Sequence, residues 1–126
     1  MNDRYLYRAK HIHALPANKH LDGTWIEGYL CNENYINSPS LEGEFLIDPS
    51  TICQCTGLRD KNGKLIWEND IVSVNETLYV CRFDEENFEW EFQNREETIG
   101  ICCFHSSDIE ITGNAIDNPE LLEVGE

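Results

Sequence analysis

The chain has 126 residues, 40% of them hydrophobic, which suits one ordinary domain with a buried core. No apolar run approaches the roughly 20 residues of a membrane helix, and Met1-Asn2-Asp3-Arg4-Tyr5 lacks the apolar segment of a signal peptide, so the expectation is a soluble cytoplasmic protein with no membrane contact. The net charge of −15 is uneven: residues 1–64 carry seven Lys or Arg and eight Asp or Glu, a net of −1, and residues 65–126 carry two against sixteen, a net of −14. Such a surface repels phosphate backbones and argues against direct nucleic-acid binding.

Tyr5 to His13 reads as a first strand, with Tyr5, Tyr7, Ala9, His11 and His13 on one face and Leu6, Arg8, Lys10 and Ile12 on the other. The spacing of His11 and His13 suits half a metal site, but no Cys or carboxylate nearby completes it. Pro16 to Gly23 is a loop, and Thr24 to Cys31 a second strand antiparallel to the first. Trp25 within it reads as a core or lobe-interface anchor rather than a ligand platform. The polar stretch from Asn32 to Gly43 reads as a mobile loop, followed by the apolar run Phe45-Leu46-Ile47. Asp48-Pro49-Ser50-Thr51 is a turn or helix start, and Ile52 to Cys55 a brief strand.

Gln54 to Val72 links the two halves. Asn62-Gly63 supplies a tight reversal, and Gly57 or Gly63 is expected at positive φ. Gly57 to Lys64 superficially resembles a phosphate-binding loop. Its spacing is off by one, Leu65 replaces the Ser or Thr that reaches magnesium, and Asp60 puts negative charge where phosphate would sit.

From Asp70 the alternation is cleaner. Asp70 to Val74, Leu78 to Asp84, Phe88 to Gln93, Thr98 to Phe104 and Ile109 to Thr112 read as five short antiparallel strands, a pattern that suits a small barrel of the Src-homology-3 kind. Phe88, Trp90 and Phe92 fall on one face, with Glu89 and Glu91 on the other. Asp84, Glu85, Glu86, Glu89, Glu91, Glu96 and Glu97 are expected to cluster on one hairpin beside Trp90, making it a candidate interaction site.

Catalytic signals are weak. His105-Ser106-Ser107-Asp108 crowds triad residue types into one turn, without a nucleophile elbow or an oxyanion-hole motif. The six cysteines, Cys31, Cys53, Cys55, Cys81, Cys102 and Cys103, include no Cys-x-x-Cys, and read as reduced thiols used as small hydrophobes. No cofactor and no enzymatic activity is expected. Near the C-terminus, Asn118 suits a helix cap, Pro119 the first helical position and Glu120 the positive end of the dipole, with Leu121 and Leu122 docking the turn.

Gln54, Thr56, Gly57, Leu58, Asp60, Gly63, Glu68, Asp70, Ile71 and Val72 form a Gln-x-Thr-Gly-Leu-x-Asp-x-x-Gly run leading into a strand start. A second block runs from Gly113 and Asn114 through Asp117, Asn118, Pro119, Glu120, Leu121 and Leu122. In both blocks the chain resembles the YopX family of phage and prophage proteins. It departs at Asn69, where the family usually has Gly, and at Ala115-Ile116. The resemblance implies a phage-encoded, mainly β protein with no established activity.

The sequence reading is therefore a single mainly β domain with minor α content. Its lobes are an N-terminal β lobe over 1–63, a small five-stranded β-barrel over 64–116, and a C-terminal helical turn and tail over 117–126. The expected role is that of a non-enzymatic accessory protein acting on a protein partner, with self-association as a homo-oligomer, because Trp25, Trp67 and Trp90 exceed what a small core needs. The alternative is an acidic DNA mimic that inhibits a nucleic-acid-binding protein.

Overall fold

The computed structural model describes residues 6–12 and 23–121. Tyr5, His13, Leu122, the loop from Pro16 as far as Asp22, and the residues at both extreme ends lie outside them. The described residues form eleven strands: β1 (Tyr7–Lys10), β2 (Trp25–Asn32), β3 (Tyr35–Ser38), β4 (Gly43–Leu46), β5 (Cys53–Arg59), β6 (Leu65–Trp67), β7 (Asp70–Val74), β8 (Thr77–Asp84), β9 (Glu89–Gln93), β10 (Thr98–Gly100) and β11 (Ile109–Asn114). The fold is mainly β, as expected. The strands form two antiparallel sheets, ordered β4-β3-β2-β1-β5-β6 and β10-β9-β8-β7-β11, and the chain divides into two compact units, Met1–Cys55 and Thr56–Glu126.

In the first unit, period-2 alternation on β1 puts Ala9 and His11 inside, with Ile26 of β2, Ile36 of β3, Phe45 of β4 and Ile47 completing the core. On the opposite face, outside the core, Trp25 is half-buried beside two cations, with the Arg8 guanidinium 4.6 Å and the Lys10 ammonium 5.3 Å from its ring centroid. β1 pairs with β2 antiparallel, Ala9 facing Ile26. The chain after β4 returns to β1 through a bridge between His11 and Ile47, where the His11 ring Nδ1 lies 2.6 Å from the Leu46 carbonyl. Asp48 accepts from the Ser50 N–H at 3.0 Å and starts the 3-10 turn Pro49–Thr51.

The Asn32 to Gly43 stretch is no loop: β3 lies inside it, paired on both sides, with Ile36 and Ser38 buried. Its polar composition hides a short strand whose alternate residues face the core. Gly28 of β2 is required by this pairing, because a Cβ there would run into the Asn37 carbonyl of β3.

The second unit is built on hairpins. Residues Val72, Val74, Tyr79, Cys81, Phe92 and Ile109 share one sheet face and bury it together with Ile66 of β6, while Trp90, Ile99 and Phe104 pack at its margin. The turn joining β7 to β8 has both central residues, Asn75 and Glu76, at positive φ, the geometry that matches a right-twisted two-residue hairpin. The buried thiols Cys53, Cys55 and Cys81 fill core positions as small hydrophobes.

The expected closed barrel is an open sheet. After β10 the chain turns through Ile101–Cys103 and Ser106–Asp108, both 3-10, so the strand expected over Thr98 to Phe104 stops at Gly100. The chain then crosses to pair β11 with β7, which leaves β10 and β11 as opposite edges. An apolar run long enough for a strand is thus spent partly on the turn that carries Phe104 onto Tyr79 and Phe92.

The two kinds of glycine requirement separate experimentally. Gly28→Ala forces β2 and β3 apart and is expected to cost about 2 kcal/mol or more. Gly63→Ala meets nothing within 4 Å but sits at φ +79°, and is expected to cost about 1 kcal/mol in backbone strain. Thermal melting of the two variants checks this, and equal melting temperatures would refute the steric reading of Gly28.

Candidate functional site

Two regions hold the residues singled out from the sequence: the β5–β6 turn with the end of β11, and the β8–β9 hairpin. In the first, β5 carries Gln54, half-buried opposite Tyr7 of β1. The Thr56 hydroxyl donates to the Ile66 carbonyl at 2.7 Å and accepts from the Leu58 N–H at 3.0 Å. Gly57 and Gly63 stand at φ +81° and +79°, as expected of residues that a side chain would strain. The Leu58 side chain points outward and is 45% exposed.

Asp60 closes the turn. Its side chain is 4% exposed; Oδ1 accepts from the N–H groups of Asn62 (2.9 Å) and Lys64 (3.0 Å), and Oδ2 from that of Ile111 on β11 (3.1 Å). Burial pushes its carboxyl up, but the N–H groups of Ile111, Lys64 and Asn62 and the Lys64 charge more than offset this and hold it below the usual carboxylate range. The Lys61 N–H donates to the Ile109 carbonyl, so turn and strand are stitched at two points.

The second block folds against the first. Asp70, buried, accepts from the Trp67 N–H at 2.8 Å, while Ile71 enters the core and Glu68 is half-buried. Asn69, at φ +73°, takes the left-handed conformation expected where the family has Gly. Its N–H donates to Cys81 and its carbonyl accepts from Ala115, while its side-chain oxygen accepts from the Arg82 guanidinium. Asn114 accepts from Ile116 and Asp117 N–H groups and donates to the Asp117 carboxylate. Asn118 accepts from the Asn114 N–H at 3.2 Å, so the expected helix cap is turned back onto β11. Gly113 lets Asn118 and Leu121 approach closely, and Pro119 is exposed. These residues stabilise turns, and no two of them present converging reactive groups.

The β8–β9 hairpin is different. Cross-strand pairs Phe83 with Trp90 and Cys81 with Phe92 lie on the core face; Arg82 with Glu91 and Asp84 with Glu89 lie on the other. Phe83 and Trp90 meet edge to face with centroids 5.1 Å apart, and Phe83 is 37% exposed. Phe88, expected on β9, sits instead in the connecting turn at φ +55°, 82% exposed. The carboxylates of Asp84, Glu89 and Glu91 offer oxygens all within 4.8 Å of one another. Asp84 accepts from the Asn87 side chain and the Glu86 N–H, and the Asn87 bond above all lowers its carboxyl from the usual value. Glu85 and Glu86 are exposed in the turn.

Glu96 and Glu97 do not join this group. They cap the far end of β9, where both N–H groups donate to Asn94 and Glu97 accepts from the Tyr79 hydroxyl at 2.8 Å. β9 separates the two acidic turns by about 17 Å, five residues at ~3.4 Å each. Sequence proximity brought the seven acids together; hairpin topology divides them.

The Asp60 clamp has a pH signature. With a folded-state pKa below that of the unfolded chain, its contribution is fully present above the ordinary carboxylate pKa of about 4 and is lost as pH falls through the folded value. Asp60→Asn is expected to cost about 2 kcal/mol at pH 7 and to flatten the acid limb of stability against pH. Urea unfolding between pH 7 and 2 measures both, and parallel acid limbs in the two proteins would remove the carboxylate from the account.

No curated protein matches the chain. A family model described as YopX protein matches residues 9–123, a span that takes in both turn blocks, the β8–β9 hairpin and nearly all the described strands. The chain therefore belongs to the YopX family.

Proposed function

We propose that the protein is a non-enzymatic binding module, a phage or prophage accessory protein of the bacterial cytoplasm that acts by protein-protein contacts through its β8–β9 hairpin. The observation that carries this reading is Phe88, an aromatic side chain 82% exposed on a left-handed backbone at the hairpin tip. Around it stand Asp84, Glu85, Glu86, Glu89 and Glu91. Aromatic anchors with a polar rim are what protein interfaces use, and the acidic rim selects a basic partner surface.

The non-enzymatic part of the reading is supported by the placement of the residues best suited to catalysis. His105, Ser106, Ser107 and Asp108 are spread over an exposed 3-10 turn, where adjacent residues do not meet in triad geometry. A second reading, mimicry of nucleic acid toward a basic groove, draws on the three clustered carboxylates of Asp84, Glu89 and Glu91. Phe88 favours the first reading, since a phosphate backbone has no apolar counterpart to it.

Affinity capture from a bacterial lysate, with immobilised wild type beside Phe88→Ala and Glu86→Lys/Glu89→Lys, tests the proposal. Both variants are expected to melt as the wild type does and to lose about tenfold in recovery of the partner, ~1.4 kcal/mol. If Phe88→Ala has no effect while the charge reversal and high salt abolish capture, mimicry replaces the interface reading. Equal recovery by all three proteins overturns both.

A further inference from the structure

We propose that the hairpin's partner is a second copy of this chain, the acidic β8–β9 hairpin of one copy docking on the basic β5–β6 turn of the next. This rests on the reading of the hairpin as a binding prong and names its occupant. Two surfaces of the same unit are complementary in charge, and each carries an exposed apolar side chain, Phe88 on one and Leu58 on the other.

After residue 55 the chain has five Lys and Arg, and three of them, Arg59, Lys61 and Lys64, fall within six residues. All three are exposed at the β5–β6 turn. The one acid in that turn, Asp60, is buried with its oxygens turned onto N–H groups and offsets one of the three cations, so the turn, where Arg59 also donates to the Gly63 carbonyl, keeps a net charge of +2. Lys61 reaches Glu110 at 3.5 Å, but both side chains are nearly half exposed; such a pair is weak and exchanges readily for a better one. Beside the cations stands Leu58, 45% exposed. The hairpin offers the complement, carboxylates flanking the exposed Phe88.

The two surfaces cannot meet within one chain. Ile109, where the turn is stitched to β11, is aligned through Val74 with Thr77, at the start of β8. Asp84 lies at the other end of that strand, about 23 Å away at ~3.3 Å per residue. β8 is also separated from β11 by β7. Complementary patches at opposite corners generate a head-to-tail contact, which propagates into a ring or an open filament.

The test is a charge swap at about 0.15 M salt, where a Debye length of ~8 Å screens the net repulsion between copies but leaves short pairs. Lys61→Glu/Lys64→Glu has two acidic ends, and Glu85→Lys/Glu86→Lys/Glu89→Lys, which leaves only Asp84 and Glu91 against three lysines, has two basic ones. Light scattering is expected to show wild-type mass rising with concentration, at least about twofold. Each variant alone is expected to stay monomeric, and an equimolar mixture to regain assembly because both contacts are restored. Melting curves confirm that each variant is folded. A wild type that is monomeric at every concentration, variants that assemble as the wild type does, or a mixture that stays monomeric overturns the proposal. Monomeric wild type with hairpin-dependent lysate capture intact overturns this inference alone; loss of both overturns the binding-module reading as well.

Discussion

The buried carboxylate of Asp60 is the constraint on which the second unit depends. A carboxylate removed from water is tolerated only when its lone pairs are met, and here three backbone N–H groups meet them. Two belong to its own turn and one to β11, so the same group that closes the reversal from β5 to β6 also holds the sheet edge. That edge would otherwise present free N–H and carbonyl groups as a template for another strand. The Lys61 bond to Ile109 covers the next position. Local turn chemistry and the long-range placement of β11 are therefore one interaction rather than two.

The residues that match the family cluster around this clamp, and nearly all have a structural task. Gly57, Gly63 and Asn69 take left-handed backbone; Thr56, Asp70, Asn114 and Asn118 satisfy N–H or carbonyl groups left over at strand ends; Gly113 permits close packing. Leu58 is the conspicuous exception, matching the motif while its side chain stands in solvent. These matching residues account for turns and strand ends and name no reaction.

The sequence was legible where local pattern and tertiary environment agree. β7 was read to the residue because Asp70 to Val74 alternates and follows a turn, and β8, β9 and β11 were placed within two residues. β3 is hidden in the sequence because Asn37 and Ser38 are loop-like by composition, whereas two flanking strands make their backbone part of a sheet. β10 is shorter than its apolar run because Ile101 to Phe104, though apolar, forms a 3-10 turn that packs on the same core, and apolarity alone does not separate the two. The acidic site was legible as composition but not as geometry: nothing in the spacing of Glu91 and Glu96 says that a whole strand lies between their neighbourhoods. Phe88 alternates with Trp90 and Phe92 as a strand residue would, yet a residue just before a strand produces the same pattern, and it lies in the turn.

That last displacement bears most on function. On β9, Phe88 would have joined Trp90 and Phe92 against the core and gained the stabilisation of a buried ring, about 1.5–3 kcal/mol. In the turn it forgoes that burial and holds a conformation that costs an L-residue roughly 1–2 kcal/mol. Asn87 immediately before it would suit left-handed backbone better, and the β7–β8 turn uses Asn75 in that way. A turn selected for folding alone would place Gly or Asn where Phe88 stands. Set among five carboxylates, Phe88 gives the hairpin an apolar surface that the folded monomer does not use, a cost that the proposed binding role accounts for.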